Sequence, residues 1–460
     1  METVHPDLAL LMQPNRRAIC CLVTEGEMGS LKPFHVYSQG KLCAMLFDEA
    51  DGADFRKRVQ QEMERLGQSA GLSGPFALAA SARGCMAKAR IALETGQREA
   101  PGCALYPMEQ YGEKALLTAA SEALAALDFV CRDFCHAAVG EMQRLDAREG
   151  SQYAESLRAY LSCGLNLRQA AQQLGIHRNT LAYRMQRVQE RFSIDLTDMN
   201  TCFELLFAFW LTDNLPDEQE KTPCAPFDGM QAQAALLCAA ERAGGAPKAE
   251  KPFETVLVCA GTAHLTDEQR GSLALELCAL PGGRVCALDD DALFFAFEPD
   301  RAEAFCQAAA EACGKHHAPI VMTQPFSSAR IGQKLRLCRF AFRVVSAPVT
   351  RMQDIGSTLF FMALERRISL QPYLCEDVLR VMDDDATKGT ALSRSLYAYL
   401  LDFRDMKKAA HKLGMHRNTM EYQLRKIEAL IGKAPCEKKR FMMMCTYKML
   451  ALPDTGLCDL

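Results

Sequence analysis

The sequence predicts an α+β to mainly α fold that is internally duplicated, each half holding a small α/β domain followed by a helical domain. Three observations predict it. From Leu157 onward, adding 239 to each residue number lands on a second copy without a gap: Leu157, Ala159, Tyr160 and Leu161 recur as Leu396, Ala398, Tyr399 and Leu400. Ahead of each copy, short apolar runs alternate with stretches of helical periodicity. Between the halves lies 213–252, rich in Pro, Glu, Ala and Gly, which reads as a linker with one helix over Gln231–Arg242.

In the first half, Arg16–Thr24 (RRAICCLVT) reads as a buried strand, and residues 33–47 as a hairpin about Ser38, Gln39 and Gly40. A helix follows over Ala53–Leu66 with Phe55, Val59, Met63 and Leu66 on one face. Phe76–Ala80 is a strand, Cys85–Leu93 a helix and Cys103–Tyr106 a last short strand. Strands alternating with helices make one small sheet covered by helices. The second half repeats the order more loosely: strand Phe253–Cys259, helix Asp267–Ala279, hairpin 284–297 about Asp289–Asp291, helix Arg301–Cys313, strand Pro319–Thr323, helix Gly332–Val344 and a helical turn near Met352.

Within the repeat, Leu165–Phe192 reads as two helices and a tight turn. Asn166 can cap the first, whose apolar face carries Leu167, Ala170, Ala171 and Leu174. Gly175 supplies the left-handed residue that ends it. A second helix, beginning near His177, buries Leu181, Met185, Val188 and Phe192. Its other face carries Asn179, Ala182, Tyr183 and Gln186, flanked by Arg178, Arg184 and Arg187. Small residues let the two helices pack closely at an angle, which is helix-turn-helix geometry. Amide side chains can pair with the adenine edge in a major groove, while arginine and a helix N-terminus hold phosphates. The second copy keeps His416, Arg417, Asn418, Thr419 and Tyr422 where the first has His177, Arg178, Asn179, Thr180 and Tyr183. An amphipathic hairpin with a merely solvated charged face has no reason to keep that polar run twice.

The run NLRQAAQQLGIHRNTLAYRMQRVQ resembles the C-terminal DNA-binding domain of PucR/CdaR bacterial transcriptional regulators. The lead Leu157–Leu161 and trailing helix Cys202–Leu211 belong to the resemblance, as do Leu396–Leu400, Lys408–Leu430 and Phe441–Leu452 in the second copy. That copy departs at Asp405, Glu421 and Gln423, where the first has Asn166, Ala182 and Arg184. The resemblance implies a sequence-specific regulator under small-molecule control, with double-stranded DNA as partner and a homodimer as a further possibility. Asn179, Tyr183 and Gln186 are expected at base edges, with Arg178, Thr180, Arg184 and Arg187 on the DNA backbone. In the second copy Asn418, Glu421, Tyr422 and Arg425 are expected at bases, and Arg417, Thr419 and Lys426 at phosphates. A carboxylate at position 421 can accept from cytosine or oppose phosphate. The resemblance also implies that each α/β domain is a degenerate GGDEF-like domain. The expected boundaries are 1–110 α/β, 111–212 helical with the helix-turn-helix, 213–252 linker, 253–360 second α/β and 361–460 second helical region.

At 460 residues and 49% hydrophobic content the chain can build several cores. A net charge of −4 excludes nucleic-acid binding through bulk charge, so any contact must use local patches such as Arg168–Arg191 and Lys407–Arg440. The 21 cysteines are scattered, Met1–Asn15 shows no charged-then-apolar leader, and Leu205–Leu211 is too short to span a bilayer. A cytoplasmic protein with reduced thiols and no membrane partner is expected.

Catalysis is disfavoured. A cyclase needs a Gly-Gly-acid-acid-Phe turn in its hairpin, and the two hairpins offer Ser38-Gln39-Gly40-Lys41 and Asp289-Asp290-Asp291. The clusters Cys131, Cys135, His136 and Cys313, His316, His317 lack an obvious second ligand pair for zinc, so neither metal nor cofactor is expected. No GxxxxGK[ST], HExxH or GxSxG run is present. Met442–Met444 read as core. Two rival readings remain: a metabolite- or nucleotide-sensing signalling protein whose helix-turn-helix segments contact proteins, and an active nucleotide cyclase.

Overall fold

In the computed structural model the described residues are 17–23, 35–39, 42–48, 55–215, 232–236, 253–283, 286–288, 291–345, 347–403, 405–432 and 437–452. The first sheet is built from β1 (Arg17–Val23), β2 (His35–Gln39), β3 (Leu42–Asp48), β4 (Ala70–Ala77) and β5 (Leu105–Pro107), with α1 (Phe55–Leu66) before β4 and α2 (Leu78–Glu99) after it. Its order is β2-β3-β1-β4-β5, and all pairings are antiparallel except β4 with β5. Phe55, Val59 and Met63 of α1 pack on Ala70 and Leu72 of β4. The strand expected at 76–80 starts earlier and ends at Ala77, because an alanine-rich run then winds directly into α2. Gly71 permits this close packing: a Cβ there would lie 2.0 Å from the carbonyl oxygen of Ala89 in α2.

Helices α3 (Met108–Leu127), α4 (Ala137–Glu149), α5 (Tyr153–Ser162), α6 (Leu167–Gln173), α7 (Arg178–Phe192) and α8 (Met199–Asn214) follow. Of the expected linker, only residues 213–215 and 232–236 are among those described, and 232–236 are helical.

The second sheet consists of β6 (Glu254–Gly261), β7 (Cys286–Leu288), β8 (Ala292–Phe297), β9 (Ile320–Met322) and β11 (Val349–Arg351), in the order β7-β8-β6-β9-β11; the two-residue β10 (Phe326–Ser327) pairs with β6. Strand order and directions reproduce the first sheet: hairpin, central antiparallel strand, then a parallel outer pair β9 and β11. Helices α9 (Asp267–Ala279), α10 (Pro299–Lys315) and α11 (Ile331–Ala341) accompany it. Val256, Val258, Leu293, Phe295 and Phe297 form the core with Phe305 and Ala309 of α10. Asp289 and Asp290, like Gly40 and Lys41, lie outside the described residues. The chain closes with α12 (Gly356–Glu365), α13 (Glu376–Lys388), α14 (Leu392–Leu401), α15 (Met406–Lys412), α16 (Arg417–Ile431) and α17 (Glu437–Leu450).

These elements gather into two compact units, and each unit mixes the two sequence halves. One comprises 1–123 with 364–451, the first sheet and the second helical region; the other spans 124–363, the first helical region and the second sheet, with 452–454. In the first unit Lys88 of α2, with only 5% of its side chain exposed, pairs with Glu376 of α13 and donates to the Leu374 carbonyl at 3.2 Å. In the second, Asp133 is held by Lys334 and Arg330 at 2.8 and 2.9 Å. Glu204 of α8 is buried and caps α12, accepting from the Ser357 N–H at 2.8 Å and its hydroxyl at 2.6 Å. Among the described residues, no helix is long and apolar enough to cross a membrane.

Candidate nucleic-acid interface

Both helical hairpins are fixed by the same hydrogen bonds at equivalent positions. Asn166 accepts from the Arg168 and Gln169 N–H groups at 3.1 Å each, and Asp405 accepts from Lys407 and Lys408 at 3.0 and 3.1 Å. These caps satisfy otherwise orphaned donors in the first turns of α6 and α15. Gly175 and Gly414 then adopt left-handed φ of 65° and 63°, ending those helices. His177 and His416 cap α7 and α16, each Nδ1 accepting from the N–H of Asn179 or Asn418 at 3.3 and 3.2 Å. Histidine thus has a backbone role in the HRNT run, beyond the helix start that periodicity alone suggests.

A further repeat lies upstream of the stretch that sequence comparison aligned. Asp146 accepts from the Tyr153 and Ala154 N–H groups, both at 2.8 Å, and Asp385 accepts from Leu392 and Ser393 at 2.6 and 2.7 Å. Each pair of residues is 239 apart. These carboxylates clip the starts of α5 and α14 to the preceding helix. Burial works against the charge on Asp385, but bonds from Thr390, Ser393 and Leu392 outweigh it and hold its carboxyl below the usual carboxylate range.

On α7 the apolar face is buried through Leu181, Met185 and Val188; Phe192 is half-buried, its ring edge-on to Tyr153 at 6.4 Å. On α16 Met420 and Ile427 are buried. Ala159, Ala170 and Ala171, like Ala398, Ala409 and Ala410, let the helices approach.

The opposite faces are open. Tyr183 is 57% and Tyr422 59% exposed, and Arg178, Asn179, Thr180, Gln186 and Arg187 are exposed with them, as are Arg417, Asn418, Thr419, Arg425 and Lys426. The guanidinium of Arg187 lies 5.7 Å from the Tyr183 ring centroid, and the ammonium of Lys426, at the equivalent position, 4.7 Å from that of Tyr422. Gln186 donates to Glu190 at 2.8 Å, whereas Arg425 pairs with Glu421 at 2.6 Å. Arg184 differs from the rest. It is half-buried and donates to Ser156 Oγ at 2.9 Å and Gln152 Oε1 at 2.8 Å, tying α7 to α5.

Part of the basic charge between 402 and 440 is paired with carboxylates or buried. Lys412 pairs with buried Asp402 at 2.5 Å, Lys439 with Asp377 at 2.5 Å and Lys438 with Glu113, while Arg440 is buried with its guanidinium 5.6 Å from the Phe403 ring centroid. Lys407, Lys408, Arg417, Arg425 and Lys426 remain on the exposed surface of α15 and α16.

The first cysteine and histidine cluster is built into a core, whereas in the second only Cys313 is buried, with His316 half-buried and His317 exposed. Cys131, Cys135 and His136 are buried, and His136 caps α4 by accepting from the Ala138 N–H at 3.3 Å. Burial lowers the His136 pKa to about 4 and raises that of Cys313 to about 12. Among the described residues, no three His, Cys, Asp or Glu side chains converge as a metal site.

Two helices at this spacing, a capped turn and an open polar face define a helix-turn-helix DNA-binding protein. Residues 153–211 and 392–439 match the PucR C-terminal helix-turn-helix domain, which supports a DNA-binding transcriptional regulator. No curated protein matches the chain. A solved structure described as a regulator of polyketide synthase expression from Bifidobacterium adolescentis is 13% identical, over 49% of this chain and 94% of its own, with a TM-score of 0.23.

Proposed function

We propose that the chain regulates transcription by reading two half-sites with two helix-turn-helix modules carried on one polypeptide. The open polar face of the second helix in both copies carries this reading, because Asn179, Tyr183, Asn418 and Tyr422 face solvent while the apolar faces are packed away. Asn179, Tyr183 and Gln186 read base edges in one module; Asn418, Glu421, Tyr422 and Arg425 read them in the other. Arg178, Thr180 and Arg187, with Arg417, Thr419 and Lys426, hold phosphates, and Arg184 adds its charge from a position fixed by Ser156 and Gln152. Two recognition helices in one chain replace the two subunits of a dimer, so the half-sites lie about one helical turn, roughly 10 bp, or a multiple apart.

The α/β domains are degenerate GGDEF-like sensor domains in this reading, and the protein acts in the cytoplasm. A cavity of about 190 Å³ between α10 and the β9 and β11 edge, lined by Val256, Ala302, Glu303, Met322, Arg351 and Met352, supports a small effector. It is below the roughly 300 Å³ of common ligand pockets, which favours a compact metabolite over a nucleotide.

Electrophoretic mobility shift of the full chain on the promoter region of its own gene, with salt titrated, tests the reading. Arg178→Ala should weaken binding to every sequence and flatten the salt dependence, whereas Asn179→Ala should relax preference at one base pair, costing about 1 to 3 kcal/mol. Absence of any shift at low salt would overturn DNA binding; equal losses for both variants on specific and random duplex would overturn the division of roles.

A further inference from the structure

We propose that each helix-turn-helix region takes the α/β domain of the opposite sequence half as its folding and regulatory partner, so that neither half is a complete regulator. The inference rests on packing inside each compact unit and does not depend on the DNA-binding assignment.

The contacts that define the pairing join first-half to second-half residues in both units. Lys88, in the first α/β segment, is buried against Glu376 of the second helical region. Lys334 and Arg330, in the second α/β segment, converge on Asp133 of the first helical region. The two lysines sit in matching Lys-x-Arg runs, Lys88-Ala89-Arg90 and Lys334-Leu335-Arg336, on the helix that leaves the fourth sheet strand or its equivalent. The same structural position therefore makes the crossing bond twice, in opposite directions along the chain.

Apolar packing in the second unit follows the same rule. Phe207 of α8 meets Phe360 of α12 edge to face and Phe361 at a tilt, at centroid separations of 5.3 and 5.7 Å, and Phe134 lies 5.6 Å from Phe360. Gly356 lets the backbones meet: a Cβ there would stand 2.2 Å from the Phe134 carbonyl oxygen. Glu204, a buried carboxylate within the apolar stretch of α8, has its oxygens on Ser357 at the start of α12. An isolated first half would leave Glu204 and Asp133 without these partners and expose Phe134 and Phe207, a surface monomeric proteins rarely keep open.

The pairing also fixes the direction of control. Gln324, Met352 and Gln353 line the α/β cavity of the second half. The next residue, Asp354, accepts at its carbonyl from the Asn200 side chain of α8 at 2.8 Å. A ligand in that cavity acts on the helix closing the first helix-turn-helix, not the one following it in sequence.

Hydrogen-exchange mass spectrometry on the full chain tests the pairing. Lys334→Ala should speed exchange in α4, α5 and α8 by on the order of tenfold or more and leave α13 to α17 unchanged, and Lys88→Ala should do the reverse. Faster exchange in the helical region of the variant's own half, or confined to the mutated α/β domain, would overturn the proposal. Should either variant fail to fold, a protease site placed within 216–252 of the otherwise unaltered chain decides it. After cleavage the two pieces should co-elute at the intact mass and part only in denaturant; two separate native species would sink the idea.

Discussion

Lys334 Nζ lies 2.8 Å from Asp133 Oδ1, with side-chain exposures of 6% and 2%, and Arg330 reaches the second carboxylate oxygen at 2.9 Å. Burial opposes charge on Asp133, yet Lys334 and Arg330 outweigh it and hold the carboxyl below the usual carboxylate range. Asp133→Ala leaves two cations facing an empty site, so the stability of that unit should fall by about 3 to 5 kcal/mol. Urea unfolding followed by Trp210 fluorescence measures it, because the only tryptophan of the chain lies in the same unit. An unchanged midpoint would show the pair to be energetically idle.

The repeated aspartate clip makes a second prediction. Asp146→Ala and Asp385→Ala each strip two backbone N–H groups of their acceptor, and each should cost about 1 to 2 kcal/mol by the usual size of lost caps. Thermal melts of the two variants should show comparable shifts. A large loss for one and none for the other would break the equivalence of the modules.

Half-site preference should differ between the modules at one position. Gln186 and Arg425 occupy equivalent sites, 239 residues apart, on the exposed faces. Glutamine suits adenine and arginine guanine. Selection from random duplexes should therefore recover two half-sites differing at that base pair, and Gln186→Arg should move the first toward guanine. If Gln186→Arg leaves the recovered motif unaltered while affinity persists, the residue does not read bases.

His136 gives a pH dependence with a definite sign. Its folded pKa of about 4 lies below the ordinary value of 6.5 because burial disfavours the imidazolium. The unfolded chain thus binds the proton more readily, and stability is lost as pH falls from about 6.5 towards 4, on the order of 2 kcal/mol by pH 5. His136→Asn, which keeps a capping side chain, should flatten the dependence of melting temperature between pH 7 and 5. A slope identical to that of the parent would assign the loss to other groups.

Arg184→Ala should lower the melting temperature as well as DNA affinity, since its guanidinium links α7 to Ser156 and Gln152. Arg178→Ala, at an exposed position, should leave melting unchanged. Circular dichroism melts of the two variants separate these outcomes.

The hairpins were legible in the sequence because their spacing is local. Leu181, Met185 and Val188 are buried, Asn166 caps, and Gly175 turns left-handed, all within one run of residues. Elements whose reasons are distant were not. Residues 70–75 carry Gly, Ser and Pro, which weaken a strand signal, and lie ahead of the strand expected at 76–80, yet they form β4 because β1 supplies a partner and α2 needs Gly71 beneath it. Glu204 carries no local signal of its role, because the Ser357 it caps lies 153 residues further along the chain. Asp146 and Asp385 fell ahead of Leu157, where matches between the copies thin to a few, among them these aspartates, Ala147 with Ala386, Gly150 with Gly389 and Ser156 with Ser395. The mixed composition of the units has no local trace at all, since periodicity says which face is buried and nothing about what covers it.

Because the unit that holds the first sheet is completed only by 364–451, that sheet, although α1 and α2 cover it early, must wait on the ribosome for the helices that complete the unit. At roughly 5 to 20 residues per second that interval is about 15 to 65 s, long enough for nascent-chain chaperones to hold the unfinished surface. Translation speed between 124 and 451, and any premature stop there, should therefore govern the yield of the unit that holds the first sheet.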